Sequence, residues 1–186
     1  MYFPEGNILK YFEVDIKGYK AELPVLTLPS GVSICFFNLH GDTELTEHCG
    51  KEIAKLAKEC DVLITAESKG LQLTHVAARE LGHKHYAVAR KTKKLYMQDG
   101  IEISIQSSIT TGAVQKLYLS KHDADLIKGK QVGIVDDVVS TGASLQGLEK
   151  LVEEAGGIIH SKLFVLAEGD AADRKDVKFL ASIPIL

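Results

Sequence analysis

The chain has 186 residues, 45% of them hydrophobic and 25% charged, and 25 acidic residues outweigh 22 basic ones for a net charge of −3. That length supports one domain with a single core, with room for a small appendage. The charge balance excludes a basic coat for nucleic acid, and no apolar segment reaches membrane-spanning length. Cys35, Cys49 and Cys60 are odd in number and lack metal-type pairing, so they read as reduced and mostly buried. The start, Met1 to Gly6, does not resemble a signal peptide, and a cytoplasmic protein is expected.

Residues 1–40 are rich in aromatic and β-branched residues and are broken by Pro4, Gly18, Pro24, Pro29 and Gly31. That pattern predicts short strands and loops. Leu45, Cys49, Ile53, Leu56 and Cys60 recur at helical spacing, predicting an amphipathic helix over 45–60 with both cysteines on its core face. A buried strand at 61–66 comes next, then a helix over 70–81 ended by Gly82. A strand is predicted at 85–89. Ile101, Ile103 and Ile105 alternate with Glu102, Ser104 and Gln106, the period of a half-exposed strand. Residues 107–115 read as a polar loop, and Lys116 to Leu119 as its return strand. Asp99-Gly100 and Asp123-x-Asp125 read as turns rather than metal sites. The seven histidines share no ligand spacing. A strand at 131–136, a helix from about Gly142 to Ala155, a strand at 158–166 and an apolar stretch at 177–186 complete the chain. Alternation of strand and helix through 61–166 predicts an α/β fold, a mainly parallel twisted sheet with helices on both faces. Ligands in such sheets bind beyond the carboxyl ends of the strands.

The most informative stretch is 132–144, Val-Gly-Ile-Val-Asp-Asp-Val-Val-Ser-Thr-Gly-Ala-Ser. An apolar strand ends in two carboxylates, and a hydroxyl- and glycine-rich turn leads into a helix. The amides at such a helix start favour an anion. Ser140, Thr141 and Ser144 add hydroxyl donors, Gly142 admits close backbone approach, and Ala143 continues the turn. Ionised Asp136 and Asp137 only accept hydrogen bonds, which suits a polyol. Phosphate beside a diol reads as ribose 5-phosphate. The alternative is an ordinary strand–turn–helix capped by Ser or Thr. A Walker loop is excluded, since no Gly-Lys-Ser/Thr follows the turn.

Two further loops fall at predicted strand ends. Glu67-Ser68-Lys69-Gly70 precedes a helix, and its amides with Lys69 suit a second anion, although Ser68 as a plain helix cap is the alternative. Arg90-Lys91-Thr92-Lys93-Lys94 gathers cations that repel one another, which fits either a polyanion or a solvated basic face.

The 132–144 segment resembles the phosphoribosyl-pyrophosphate (PRPP) signature of the type I phosphoribosyltransferases. Glu67-Ser68-Lys69-Gly70 resembles the pyrophosphate loop of the purine branch, where Arg is usual in place of Lys69 and where a non-proline cis peptide occurs. Arg90-Lys91-x-x-Lys94-Leu95 resembles a segment of the adenine-type enzymes. The resemblance covers roughly 45–166. It implies a purine base plus PRPP giving a nucleoside monophosphate and pyrophosphate, with Mg²⁺ reached through PRPP and water and with Asp136 as the candidate side-chain contact. The ribose hydroxyls fall to Asp136 and Asp137, and the 5-phosphate to Ser140, Thr141, Gly142, Ala143 and Ser144. The pyrophosphate loops are Glu67 to Gly70 together with Arg90, Lys91 and Lys94. The resemblance divides the single domain into a hood segment (1–44), a core (45–166) and a C-terminal strand region (167–186). A mobile cover over 97–115 and a homodimer follow from the family as well, with no nucleic-acid or membrane partner. Adenine leads as the base on the loop spacings. The run from Arg90 to Asp137, including Ser107-Ser108-Ile109-Thr110, also resembles bacterial xanthine enzymes, which carry Ala-Asn-Gly at Ser140-Thr141-Gly142. A non-catalytic PRPP-binding regulator is the reading from another class.

Overall fold

Lys17 and Gly18, both at positive φ, turn β1 (Tyr11–Ile16) directly into β2 (Tyr19–Thr27), and β3 (Ser33–Cys35) adds to β2 to complete an antiparallel sheet. Two successive left-handed residues match the twist of a two-residue hairpin. The structure, a computed structural model, describes residues 10–106 and 114–186. Pro4 and Gly6 and the stretch Ser107 to Thr110 lie outside those residues.

Asp42 accepts the Leu45 amide at 3.0 Å and starts α1 (Thr43–Leu56). The helix stops four residues earlier than its apolar spacing predicts. Cys49 lies on its buried face, whereas Cys60 sits in the turn beyond it, with its amide bonded to Ala57 O at 2.9 Å. Burial continues through that turn because the Cys60 thiol packs against the backbone at Gly133, which mimics another helical repeat. Next come β4 (Val62–Ala66), α2 (Gly70–Glu80) and β5 (Ala87–Ala89). Gly82 at φ 74 ends the α2 segment as expected, with His83 N–H bonded to Ala78 O.

The isoleucine alternation forms β6 (Ile101–Gln106), which pairs antiparallel with β7 (Val114–Leu119). The 97–115 segment is therefore not loose throughout. Met97 is buried, and the hairpin packs on a later helix. Asp123-x-Asp125 belongs to a helix, α3 (Lys121–Ile127), rather than to a turn. Ser120 caps it by accepting the Asp123 amide at 3.1 Å, and buried Ile127 anchors it.

The chain closes with β8 (Gln131–Val139), α4 (Ala143–Glu154), β9 (Ile158–Glu168), a short 3-10 turn (Gly169–Asp173) and β10 (Lys178–Ile183). The core sheet is parallel with order β10-β9-β8-β4-β5. One face buries Val135, Leu163 and Val165 against α1 and α2. The other buries Ile134 and Phe164 against α4 and the β6–β7 hairpin. Gly147 of α4 permits that contact, since a Cβ there would lie 2.8 Å from Leu117 Cδ1 and nearer still to Ile105 Cδ1. The fold is thus the expected α/β one, with helices on both faces. Ser33 and Leu186 exchange backbone hydrogen bonds of 2.9 Å each, tying the C-terminal segment to the N-terminal sheet. Among the described residues no helix is long and apolar enough to cross a membrane.

Candidate active site at the carboxyl edge of the sheet

β8 pairs with β4 only as far as Ile134 but stays paired with β9 to Val139. Asp136 and Asp137 therefore lie inside the strand, not at its end as predicted. They stand where the neighbouring ladder has stopped and the 67–70 loop comes across. A Cβ built on Gly70 would lie 3.0 Å from Asp136 Oδ1, and Lys69 Nζ lies 3.7 Å from Asp137 Oδ2. Two loops nearly 70 residues apart in sequence thus meet at the acidic pair.

Asp137 is buried, and its Oδ2 has no hydrogen-bond partner among the described residues. A buried acceptor left unpaired is costly, so an external donor is the natural complement. The Asp137 amide donates to Asp136 Oδ1 at 2.9 Å. Burial, reinforced by the neighbouring Asp137 charge, pushes the Asp136 carboxyl up to about 7 from an ordinary 3.8, against the pull of the Asp137 amide and of Lys91. Folded protein then holds more protons than unfolded protein across that window. Stability is expected to fall as pH rises from about 4 to about 7. Urea unfolding at the two ends of the window checks this. Asp136→Asn should flatten the fall, and an undiminished slope in that variant would contradict the assignment.

Gly142 adopts φ 83, and α4 begins with no side chain capping it. The first turn of α2 likewise has no side-chain cap, and Ser68 is exposed. The capping alternative therefore applies at neither place, whereas α1 and α3 are capped by Asp42 and Ser120. Both uncapped helices start at the carboxyl edge of the sheet. A cavity of about 130 Å³ lies over the first of them, lined by Asp136, Ser140, Thr141, Gly142, Ala143 and Ser144. Amides, hydroxyls and a positive helix end converge there, which is an anion site in kind.

The Glu67–Ser68 peptide is cis, as the resemblance implied. Glu67 is spent on the protein itself. Its Oε1 accepts the Lys91 amide at 2.6 Å, and its Oε2 forms an ion pair with Arg90 Nε at 2.8 Å. Glu67 and Arg90 thereby fasten the two cationic loops together. Arg90 also bridges to Tyr118 through paired backbone bonds of 2.8 Å. Lys91 is left exposed at this junction, close enough for its charge to bear on Asp136. Lys94 is half-buried, and its carbonyl accepts the Met97 amide, but no contact among the described residues joins its side chain to the acidic pair.

Sequence reasoning missed the neighbouring cavity of about 900 Å³ beneath the N-terminal sheet, lined among others by Tyr19, Pro24, Phe36, Asn38 and Leu45. Phe36 links it to the acidic pair, since Lys69 Nζ lies 5.4 Å from the Phe36 ring centroid. The His40 amide donates to Asn38 Oδ1 at 3.2 Å. An N–H must meet the carbonyl oxygen of an Asn, so the Asn38 NH₂ is turned the other way. No spacing rule marks Phe36 or Asn38, because the residues opposite them come from distant elements.

Residues 42–184 match the family model described as the phosphoribosyl transferase domain. Xanthine phosphoribosyltransferase of Bacillus cereus (strain B4264) is 36% identical over 137 residues, which cover 69% of this chain and 68% of that protein. The enzyme of the same name from Bacillus thuringiensis (strain Al Hakam) matches with the same identity and coverage. Among solved structures, adenine phosphoribosyltransferase from Thermoanaerobacter pseudethanolicus superposes with a TM-score of 0.66 at 21% identity, covering 93% of this chain and 95% of that one. The Giardia lamblia enzyme complexed with 9-deazaadenine gives a TM-score of 0.65 at 16% identity, covering 93% of each chain. These structural likenesses establish a shared fold, and the family match extends over most of the sequence. The chain belongs to the phosphoribosyltransferase family.

Proposed function

We propose that this chain is a purine phosphoribosyltransferase that transfers ribose 5-phosphate from PRPP to a 6-oxopurine, with xanthine the favoured base. The observation that carries the choice of base is the orientation of Asn38. With its carbonyl engaged by the His40 amide, the NH₂ is the part of Asn38 left to meet a base in the cavity it lines beside Phe36. Xanthine presents carbonyl oxygens that accept from such donors. Adenine has ring-nitrogen acceptors, but at C6 it carries an amino donor where xanthine has an oxygen, so an N–H meeting that position favours the oxopurine. The sequence identity to the Bacillus xanthine enzymes supports the same reading. The loop spacings that favoured adenine concern pyrophosphate rather than the base.

In this reading Asp136 and Asp137 receive the ribose hydroxyls, and the unpartnered Asp137 oxygen is the acceptor waiting for one of them. Ser140, Thr141, Gly142, Ala143 and Ser144 cradle the 5-phosphate. Ser68, Lys69, Lys91 and Lys94 hold pyrophosphate, while Glu67 and Arg90 fix the spacing between those loops. The adjacent carboxylates suit a hard cation such as Mg²⁺, and the described residues contain no group of three ligands that would bind a metal unaided. Its ligands would come from the substrate, water and Asp136. When bound, Mg²⁺ neutralises phosphate charge. The protein's own part is to position the reactants and to stabilise positive charge on the ribosyl carbon as the bond to pyrophosphate lengthens. A cytoplasmic homodimer belongs to this proposal on the family likeness alone.

Asn38→Asp tests the base assignment. It keeps the oxygen that meets His40 and replaces the donor with an acceptor. The kcat/KM for xanthine relative to adenine is expected to drop about tenfold, the order of effect when a hydrogen-bond donor to the bound base is replaced by an acceptor. An unchanged ratio would remove Asn38 from base recognition, and a parent enzyme that prefers adenine would overturn the xanthine reading.

A further inference from the structure

The proposed phosphate loop, 140–144, contains no basic residue. Asp136, which lines the same cavity, adds negative charge at the place where a phosphate would sit. Hydroxyls and a helix end are weak counterparts for a dianion. The structure supplies a cation from elsewhere in the chain. Arg174, just after the 3-10 turn that follows β9, reaches the back of the loop at Gly142, and a Cβ on that glycine would lie 2.5 Å from Arg174 Nη1. The φ of 83 is what requires glycine at 142, and the guanidinium packs against the space its missing side chain leaves.

The guanidinium is held from the other side. Arg174 Nε and Nη2 donate to the two oxygens of Asp176 at 3.0 and 2.8 Å, a bidentate pairing. Asp176 also accepts from Lys162 Nζ at 2.9 Å, and Lys162 pairs with Glu149 on α4, the helix that the loop begins. Nη1 makes no hydrogen bond among the described residues, so the nitrogen nearest the loop is the one left unspent. The 3-10 turn, β9 and α4 are in this way locked to one another around the loop.

We propose that Arg174 is a positioning residue for the phosphate loop, clamped by Asp176 so that its Nη1 edge supports Gly142 and sets a positive charge behind the 5-phosphate. The proposal rests on the phosphoribosyl reading of the loop. It assigns a role to a residue that none of the sequence motifs contains.

Ribose 5-phosphate binding, measured calorimetrically over a range of salt concentrations, is the test. Arg174→Gln is expected to weaken binding about tenfold and to make it less sensitive to salt, while Arg174→Lys, which keeps the charge but loses the bidentate clamp, restores the salt sensitivity and only part of the affinity. A purely structural arginine would not alter the salt dependence. Parental affinity and salt dependence in Arg174→Gln would overturn the proposal. Should that variant fail to fold, the guanidinium ¹⁵N signals of Arg174 in the parent protein carry the test. They are expected to shift when ribose 5-phosphate is added, and fixed signals in a protein that binds the sugar phosphate would again overturn it. A folded parent protein that binds no ribose 5-phosphate would remove the phosphoribosyl reading itself, a result separate from either of these.

Discussion

Asp137→Asn is expected to lower kcat by about a hundredfold or more while leaving the protein at least as stable as its parent, the size of loss seen when one preorganised electrostatic group is removed from a transition state. The two halves of this expectation have one cause. Asp137 is buried beside another carboxylate, and one of its oxygens has no hydrogen-bond partner. Its nearest cation, Lys69, stands 3.7 Å away and is half exposed. In the empty protein such a group is a burden. Under the proposed function a ribose hydroxyl would supply the missing donor, and the negative charge would stabilise positive charge on the ribosyl carbon. The isosteric amide relieves the repulsion with Asp136 and keeps the shape. Thermal unfolding should therefore show no loss of Tm, while steady-state assays show the loss of turnover. Near-parental turnover would remove Asp137 from the chemistry, and a collapse in Tm would make it a structural residue.

Gly70→Ala is expected to raise the KM for PRPP at least about tenfold and to destabilise the fold by about 1–3 kcal/mol, the ordinary range for overpacking. The added methyl would collide with Thr65 Oγ1 and approach Asp136 Oδ1 to 3.0 Å. Thr65 is wholly buried in β4, so its hydroxyl has nowhere to retreat. The strain must be released by moving the 67–70 loop away from the acidic pair, which would separate the two halves of the proposed PRPP site. Gly82→Ala is the control. Gly82 has φ 74 and open space around it, so that variant should lose about 1 kcal/mol through backbone strain without changing the KM for PRPP. Equal KM values in the two variants would contradict the proposed crossing of the loops.

Much of this fold could be read from the chain because local signals agree with the tertiary structure. The 132–144 segment combines an apolar run, a glycine that must adopt positive φ, and a helical repeat, and each is satisfied in place. The alternating isoleucines of β6 found their partner strand in the same way. The errors arose where tertiary contacts outweighed local pattern. β8 runs past its two carboxylates because β9 continues to pair with it, which hydropathy does not reveal. Helix α3 is short and polar, and its one legible sign was the Ser120-x-x-Asp123 cap, a spacing that also suits a turn. Cys60 continued an apolar period although the chain had left the helix.

The candidate site divides along the same line. Loops that follow strands were legible, because an α/β sheet places all such loops on one edge. What those residues do to each other was not. Glu67 looked like part of an anion loop, yet its carboxylate holds Arg90 and the Lys91 backbone. Phe36, Asn38 and Arg174 carry no motif. Phe36 and Arg174 matter through residues more than 30 positions away, and only the folded chain brings Phe36 to Lys69 or Arg174 to Gly142.

Product formation tests the central claim most directly. The protein would be incubated with PRPP, Mg²⁺ and, in separate reactions, xanthine, adenine, hypoxanthine, guanine or orotate, with pyrophosphate and nucleotide both quantified. The account predicts equimolar pyrophosphate and nucleoside monophosphate, formed fastest with xanthine. Tight PRPP binding with no nucleotide from any of the five bases would contradict it and would make the protein a PRPP-binding regulator instead.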